Sequence, residues 1–241
     1  MSIKNRNFSV LLTVISAGVK IPLGVDSMTK LILVRHGESE ANFSRIYTGQ
    51  SDIPLTERGH SQAVAAAKYI KKHENVSKVY ASPLRRAFDT GKHIADECSV
   101  DIVAHRGLME IFAGDWEGKF FDDIEKEYRN TYSIWRNDIG HAVPDNGESV
   151  LSLSKRCIEA VMEIVRENPD STVVLATHAT PIRALTTYWS GISAENMRLI
   201  PWSSNASLTM VCYDEDKGFH SLDADIRDHL AGIETELPSN V

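Results

Sequence analysis

Leu31-Ile32-Leu33-Val34 runs without a polar break straight into Arg35-His36-Gly37-Glu38. Apolar residues without alternation mark a strand buried on both faces, which belongs inside a sheet covered by helices. The residues that follow such a strand fall at the carboxyl edge of the sheet, where open α/β sheets hold their ligands. A phosphoryl group at that edge would meet a guanidinium fork for its oxygens and an imidazole nitrogen for its phosphorus. It would also meet a glycine that permits close backbone approach.

The same event recurs along the chain. Val76 to Ala81 reads as a second strand, broken by Ser82-Pro83, with a helix from Leu84 toward Glu97. Asp101 to Ala104 reads as a short third strand. Thr172 to Ala176 is strongly apolar and delivers Thr177-His178 to the same edge, ahead of a helix over Ile182 to Trp189. Thr56 caps a helix from Glu57 toward Lys72, and Ser149 or Ser152 caps another whose Leu153, Cys157, Val161 and Ile164 share one face. Asn205 to Tyr213 and Gly218 to Leu222 read as a terminal hairpin, with the tail from Asp223 peripheral. Alternating strands and helices predict an α/β fold, a three-layer α/β/α sandwich with a mostly parallel central sheet. Residues 28–241 read as a single domain. Within it, about 107–147 form a loop-rich cap with one helix near Phe121 to Trp135.

With 241 residues and a formal charge of -7, the chain can bury one sizeable core and offers no basic stripe for nucleic acid. Cys98, Cys157 and Cys212 lack the spacing of a metal or dithiol motif and read as reduced thiols of a cytoplasmic protein. In residues 1–27, Lys4 and Arg6 precede a modest apolar run that is too short and polar to span a membrane. The segment reads as a weakly ordered extension, with an export leader as the alternative. No nucleotide-binding glycine motif is present. Oligomeric state is not legible in the sequence, and a homodimer is one option.

The candidate site is Arg35, His36, Arg85, Glu110 and His178. A phosphate monoester carries roughly two negative charges, which two arginines and a second histidine can hold without a metal or other cofactor. His36 can attack phosphorus to form a phosphohistidine, and a carboxylic acid can protonate the leaving oxygen and then activate water. Glu110 is placed for that work, with Glu117 as a competing acid. Arg86 reads as a surface charge, Arg183 as a helix-start support, and Asn42 as either a turn-former or a ligand.

These residues stand in ordered motifs over about Lys30 to Val211. Arg35-His36-Gly37-Glu38-Ser39 with Asn42 leads to Pro54-Leu55-Thr56 and Gly59. Ser82-Pro83-Leu84-Arg85-Arg86-Ala87 with Thr90 follows, then Glu110 with Gly114 and Trp116-Glu117-Gly118, Gly147-Glu148-Ser149, and His178 with Arg183. The chain resembles the histidine phosphatase superfamily, the phosphoglycerate mutase-like branch that also holds broad-specificity phosphatases. The resemblance implies His36 as phosphate-accepting nucleophile and Glu110 as proton donor and acceptor. It implies that Arg35, Arg85 and His178 hold the phosphoryl oxygens, with Asn42 and the backbone N–H of Ala179 as further contacts. Ala113-Gly114-Asp115-Trp116-Glu117-Gly118-Lys119 is similar to the phosphatase members, including alpha-ribazole phosphatase-like proteins, rather than to glycolytic mutases. The substrate expected is a small phosphorylated metabolite. A phosphoglycerate mutase and a phosphate-binding regulatory module are the alternatives.

Overall fold

The structure, a computed structural model, describes residues 28–235. The expectations for residues 1–27 lie outside the described residues. Six strands form one sheet: β1 (Thr29–Arg35), β2 (Val76–Ala81), β3 (Ile102–Ala104), β4 (Thr172–Thr177), β5 (Leu208–Asp214) and β6 (Gly218–Ile226). Their order is β3-β2-β4-β1-β5-β6. The first four are mutually parallel, and β5 and β6 add an antiparallel edge beside β1.

The unalternating apolar run is explained by what covers it. Leu31 and Leu33 face one core with Val173, Leu175, Val161 and Leu185, while Ile32 and Val34 face another with Ala66, Ile70, Val79 and Ile94. All four β1 residues have no solvent exposure. At about 1.5–3 kcal/mol for each fully buried aliphatic side chain, β1 is anchored from both sides.

The helices are α1 (Glu40–Ser44), α2 (Glu57–His73), α3 (Arg85–Cys98), α4 (Phe121–Glu127), α5 (Arg129–Asn137), α6 (Val150–Glu167) and α7 (Ala179–Trp189). Helices α2 and α3 cover one face of the sheet, and α6 and α7 the other, giving an α/β sandwich. Thr56 caps α2 by accepting from the Gly59 N–H, and Ser149, not Ser152, caps α6. Among the described residues no helix is long and apolar enough to cross a membrane.

Three local expectations change. The cap carries two short helices in place of one, because Tyr128 leaves helical geometry (φ -117°, ψ 41°) and uses its ring against Trp116. Helix α7 begins at Ala179, immediately after His178, rather than at Ile182. The tail is not peripheral, since β6 extends to Ile226 and the Ile233 carbonyl and Thr235 hydroxyl both accept from the Gln62 amide.

Candidate active site

Three neighbouring parallel strands end together, and each delivers one part of the site. The ladder continues past the strands through His36 N–H to the Thr177 carbonyl and Ser82 N–H to the Ala176 carbonyl, both 2.9 Å. These bonds set His36, His178 and Ser82 side by side at the carboxyl edge. Gly37 matters for the scaffold and not for a ligand. A Cβ there would lie 2.3 Å from the Gly59 carbonyl oxygen, so the glycine lets α2 close against the end of β1.

His36 is 4% exposed, and its Nδ1 lies 2.7 Å from the Gly37 carbonyl. A carbonyl can only accept, so Nδ1 carries the proton and Nε2 keeps its lone pair. Burial, reinforced by the positive charges of Arg86 and Arg35, holds His36 well below the ordinary histidine pKa. The His178 ring stands 5.2 Å from the His36 ring at 61°. Its Nε2 meets the Ser82 hydroxyl at 2.8 Å, while its buried Nδ1 has no protein partner. His178 is also pushed well below the usual value, by burial first and then by Arg86 and His36.

Two guanidinium groups enter beside the histidines. Arg35 donates Nη1 to the Ser203 carbonyl. Arg86 is 1% exposed and donates Nη2 to the Gly49 carbonyl at 2.7 Å and Nη1 to the Ser51 carbonyl at 2.8 Å. The Nε of each has no protein partner. Burial pulls Arg35 down to about 10 and lowers Arg86, with Glu110 opposing both shifts, yet both remain charged near neutrality. Buried polar groups are ordinarily satisfied. Two charged Nε–H groups and a histidine nitrogen without protein partners fit an anion.

Of the arginine pair, the structure turns Arg86 toward the pocket and leaves Arg85, the one assigned from the motif, outside it. Arg85 is exposed at the first turn of α3, where its backbone N–H donates to Asp52 Oδ1 at 2.7 Å, and it does not line the pocket. Adjacent helical residues point about 100° apart. Position 86 shares the buried face of α3 with Thr90 and Ile94, and position 85 does not.

Glu110 is 9% exposed and lines the pocket with Arg35, His36 and Arg86. Its Oε1 accepts from the Ile111 N–H at 2.8 Å, and its Oε2 lies 3.4 Å from the Thr180 N–H at the start of α7. Glu117 lies outside that pocket. It accepts from Gln50 N–H, Ala113 N–H and Ser51 Oγ–H, and so holds the 48–52 loop that carries the carbonyls under Arg86.

Asn42 and Ala179 both line the pocket. Asn42 Oδ1 is engaged by Ser39 and by Asn205 Nδ2 at 3.1 Å, which leaves the Asn42 amide nitrogen as the free donor. Sequence reasoning missed Asn205, which also donates to the His36 carbonyl, and Tyr47 and Trp202 in the pocket wall. The only signal for Asn205 was its place in a polar run just before the apolar β5.

Among the described residues no group of three His, Cys, Asp or Glu side chains could hold a metal ion. Residues 31–223 match the histidine phosphatase superfamily (branch 1). The chain belongs to that superfamily. It is 30% identical over 191 residues to phosphoserine phosphatase 1 of Hydrogenobacter thermophilus, covering 78% of this chain and 88% of the relative. Its fold matches Bacillus stearothermophilus YhfR with a TM-score of 0.79 at 28% identity, covering 84% of this chain and 99% of that one. It also matches a mycobacterial glucosyl-3-phosphoglycerate phosphatase complexed with VO3, with a TM-score of 0.74 at 31% identity and coverage of 81% and 97%. As a phosphatase-type member of the superfamily, the chain is a histidine-phosphatase-type phosphomonoesterase.

Proposed function

We propose that this enzyme hydrolyses small organic phosphate monoesters through a phosphohistidine on His36, with Glu110 as acid and then base. The supporting observation is that Arg35 and Arg86 line one pocket with His36, whose Nε2 is unprotonated and whose ring adjoins His178, while Arg35 Nε, Arg86 Nε and His178 Nδ1 are buried without protein partners. In the first step, His36 Nε2 bonds to phosphorus as the bond to the leaving oxygen breaks. The Glu110 carboxylic acid gives its proton to that oxygen, and the alcohol departs. In the second step, the Glu110 carboxylate takes a proton from water as the water oxygen bonds to phosphorus. The P–N bond breaks, inorganic phosphate leaves, and both side chains return to their starting forms.

Charge on the transferring phosphoryl oxygens is met by groups already in place. Arg35 and Arg86 supply fixed positive charge, and the Ser82 hydroxyl can donate into His178 Nε2, which leaves an N–H on His178 Nδ1. Asn42 Nδ2 and the Ala179 N–H, at the start of α7, complete the donor set. Donors held by a scaffold need no reorganisation during the reaction, which is the largest usual source of electrostatic catalysis.

Incubation with p-nitrophenyl phosphate and a chelator should release inorganic phosphate, and His36→Ala should abolish that release. Unchanged turnover in His36→Ala would remove the nucleophile. Interconversion of phosphoglycerates without accumulating phosphate would replace hydrolysis by transfer.

A further inference from the structure

One peptide unit links His36 to a buried side chain that no step of the proposed reaction uses. The Gly37 carbonyl lies 2.7 Å from His36 Nδ1, and the N–H of the same peptide, on Glu38, donates to Gln62 Oε1 at 2.8 Å. A peptide unit is planar, so a partner that fixes its N–H also fixes the direction of its carbonyl. Gln62 lies on α2, has no solvent exposure and does not line the pocket. Its Nε2 donates to the Ile233 carbonyl at 2.7 Å and to the Thr235 hydroxyl at 2.9 Å. That hydroxyl in turn donates to Glu38 Oε2 at 2.9 Å. The Glu38 N–H can only donate and the Ile233 carbonyl can only accept, so the orientation of the Gln62 amide is set from both ends.

This peptide needs a hold. Glycine at position 37 leaves the peptide beyond it free to rotate, which would turn the carbonyl away from the imidazole. The peptide on the other side is secured by Thr90 Oγ1, which accepts from the Gly37 N–H at 3.1 Å, and by Asn205, which donates to the His36 carbonyl at 3.0 Å. Without the Gly37 carbonyl as acceptor, a neutral imidazole can carry its proton on Nε2, the atom that has to attack phosphorus. The bond also strengthens as the reaction proceeds. When Nε2 bonds to phosphorus the ring gains positive charge, and its Nδ1–H becomes a better donor. A carbonyl whose own peptide N–H is engaged is polarised in the direction that bond requires. The contribution therefore falls on the transition state more than on substrate binding.

We infer that Gln62 is a positioning residue for the nucleophile: it fixes the Gly37–Glu38 peptide so that the carbonyl keeps the proton on His36 Nδ1, and residues 233–235 are its outer anchor. The inference rests on His36 as the nucleophile of the proposed reaction.

The test is a full-length Gln62→Met variant, which keeps the length of the side chain and removes both polar atoms. It is compared with the parent in three readouts: kcat and KM for p-nitrophenyl phosphate, the thermal midpoint, and the histidine ring nitrogen-15 spectrum of the free enzyme. The His36 signals are identified by their loss in His36→Ala. The parent should show His36 protonated at Nδ1 and bare at Nε2. A folded Gln62→Met should show the Nε2-protonated form as well, with kcat lowered about 5- to 30-fold and KM within about twofold. Ile70→Val, a core truncation on the same helix, should lower the thermal midpoint and leave kcat and the His36 tautomer unchanged. Thr235→Val removes one outer anchor and carries the test where Gln62→Met does not fold, with an expected loss in kcat of about two- to fivefold and the same change of tautomer. A parent enzyme with the His36 proton on Nε2, or a folded Gln62→Met with His36 still wholly protonated at Nδ1, would overturn the inference. So would an unchanged tautomer in Thr235→Val if Gln62→Met is unfolded. If His36→Ala turns over substrate as the parent does, the nucleophile reading fails, and the spectra alone then decide whether Gln62 sets the His36 proton.

Discussion

Arg86→Lys should lower kcat/KM for a phosphate monoester by roughly 10- to 150-fold, whereas Arg85→Lys should leave it within about twofold. The magnitude follows from how the guanidinium is used. Two of its nitrogens hold the Gly49 and Ser51 carbonyls, and Nε is left for the ligand. A lysine ammonium is a single point that cannot reach two carbonyls and a phosphoryl oxygen at once. The substitution therefore forfeits about one charged hydrogen bond to the transition state, or about 1.5–3 kcal/mol. Arg85 has no such work, being exposed and anchored only through its backbone. The assay is initial-rate hydrolysis of p-nitrophenyl phosphate. Circular dichroism at the same temperature establishes that Arg86→Lys is folded, since an unpaired carbonyl also costs stability. A folded Arg86→Lys enzyme within about threefold of the parent, or a larger loss in Arg85→Lys, would refute the reasoning.

Other perturbations separate the remaining roles. Glu110→Gln should depress hydrolysis of alkyl phosphates by about 10²–10⁴-fold and of an activated aryl phosphate by less, because only the poor leaving group needs the proton. Glu117→Gln should leave that leaving-group dependence unchanged, and a selective loss there would move the acid to Glu117. Since His36 and His178 are held well below 6.5 when folded, the unfolded chain binds more protons beneath that value. Stability is therefore complete above about pH 6.5 and declines as pH falls below it. Thermal midpoints measured between about pH 7.5 and 5 should show this fall, less steeply in His36→Ala, and an identical slope in the variant would count against a depressed His36. Gly37→Ala places a methyl against the Gly59 carbonyl and should cost at least about 1–3 kcal/mol. A urea midpoint equal to that of the parent would show that the two backbones are not held in contact.

What could be read from the sequence was whatever periodicity and strand ends encode. β1 and β4 announced themselves because burial on both faces leaves no polar positions, and His36 and His178 followed from where those strands stop. Thr56 and Ser149 were legible as caps because capping depends on one local side chain. Which arginine of the pair faces inward was missed for a different reason. A motif supplies residue type and order, but which of two neighbours faces inward depends on the phase of α3, fixed by its start at Arg85. That phase was recoverable, since Thr90 and Ile94 repeat at four-residue spacing from Arg86. Glu110 and Glu117 could not be separated by pattern, because both lie in irregular backbone whose path is set by long-range contacts to Gln50, Ser51 and Thr180. Trp202 and Asn205 come from a segment more than 160 residues beyond His36, and only the pairing of β5 with β1 brings them to the site.

The proposed covalent intermediate on His36 can be observed directly. The enzyme is mixed with a phosphate monoester, quenched in alkali within the first turnovers, digested and analysed by mass spectrometry. The expected result is a phosphoryl adduct on His36 that survives alkali and is lost in acid, and that is absent from His36→Ala. A Glu110→Gln enzyme given an activated aryl phosphate should accumulate more of it, because water attack has lost its base. Steady hydrolysis with no adduct on His36, or an adduct on another residue, would contradict the account.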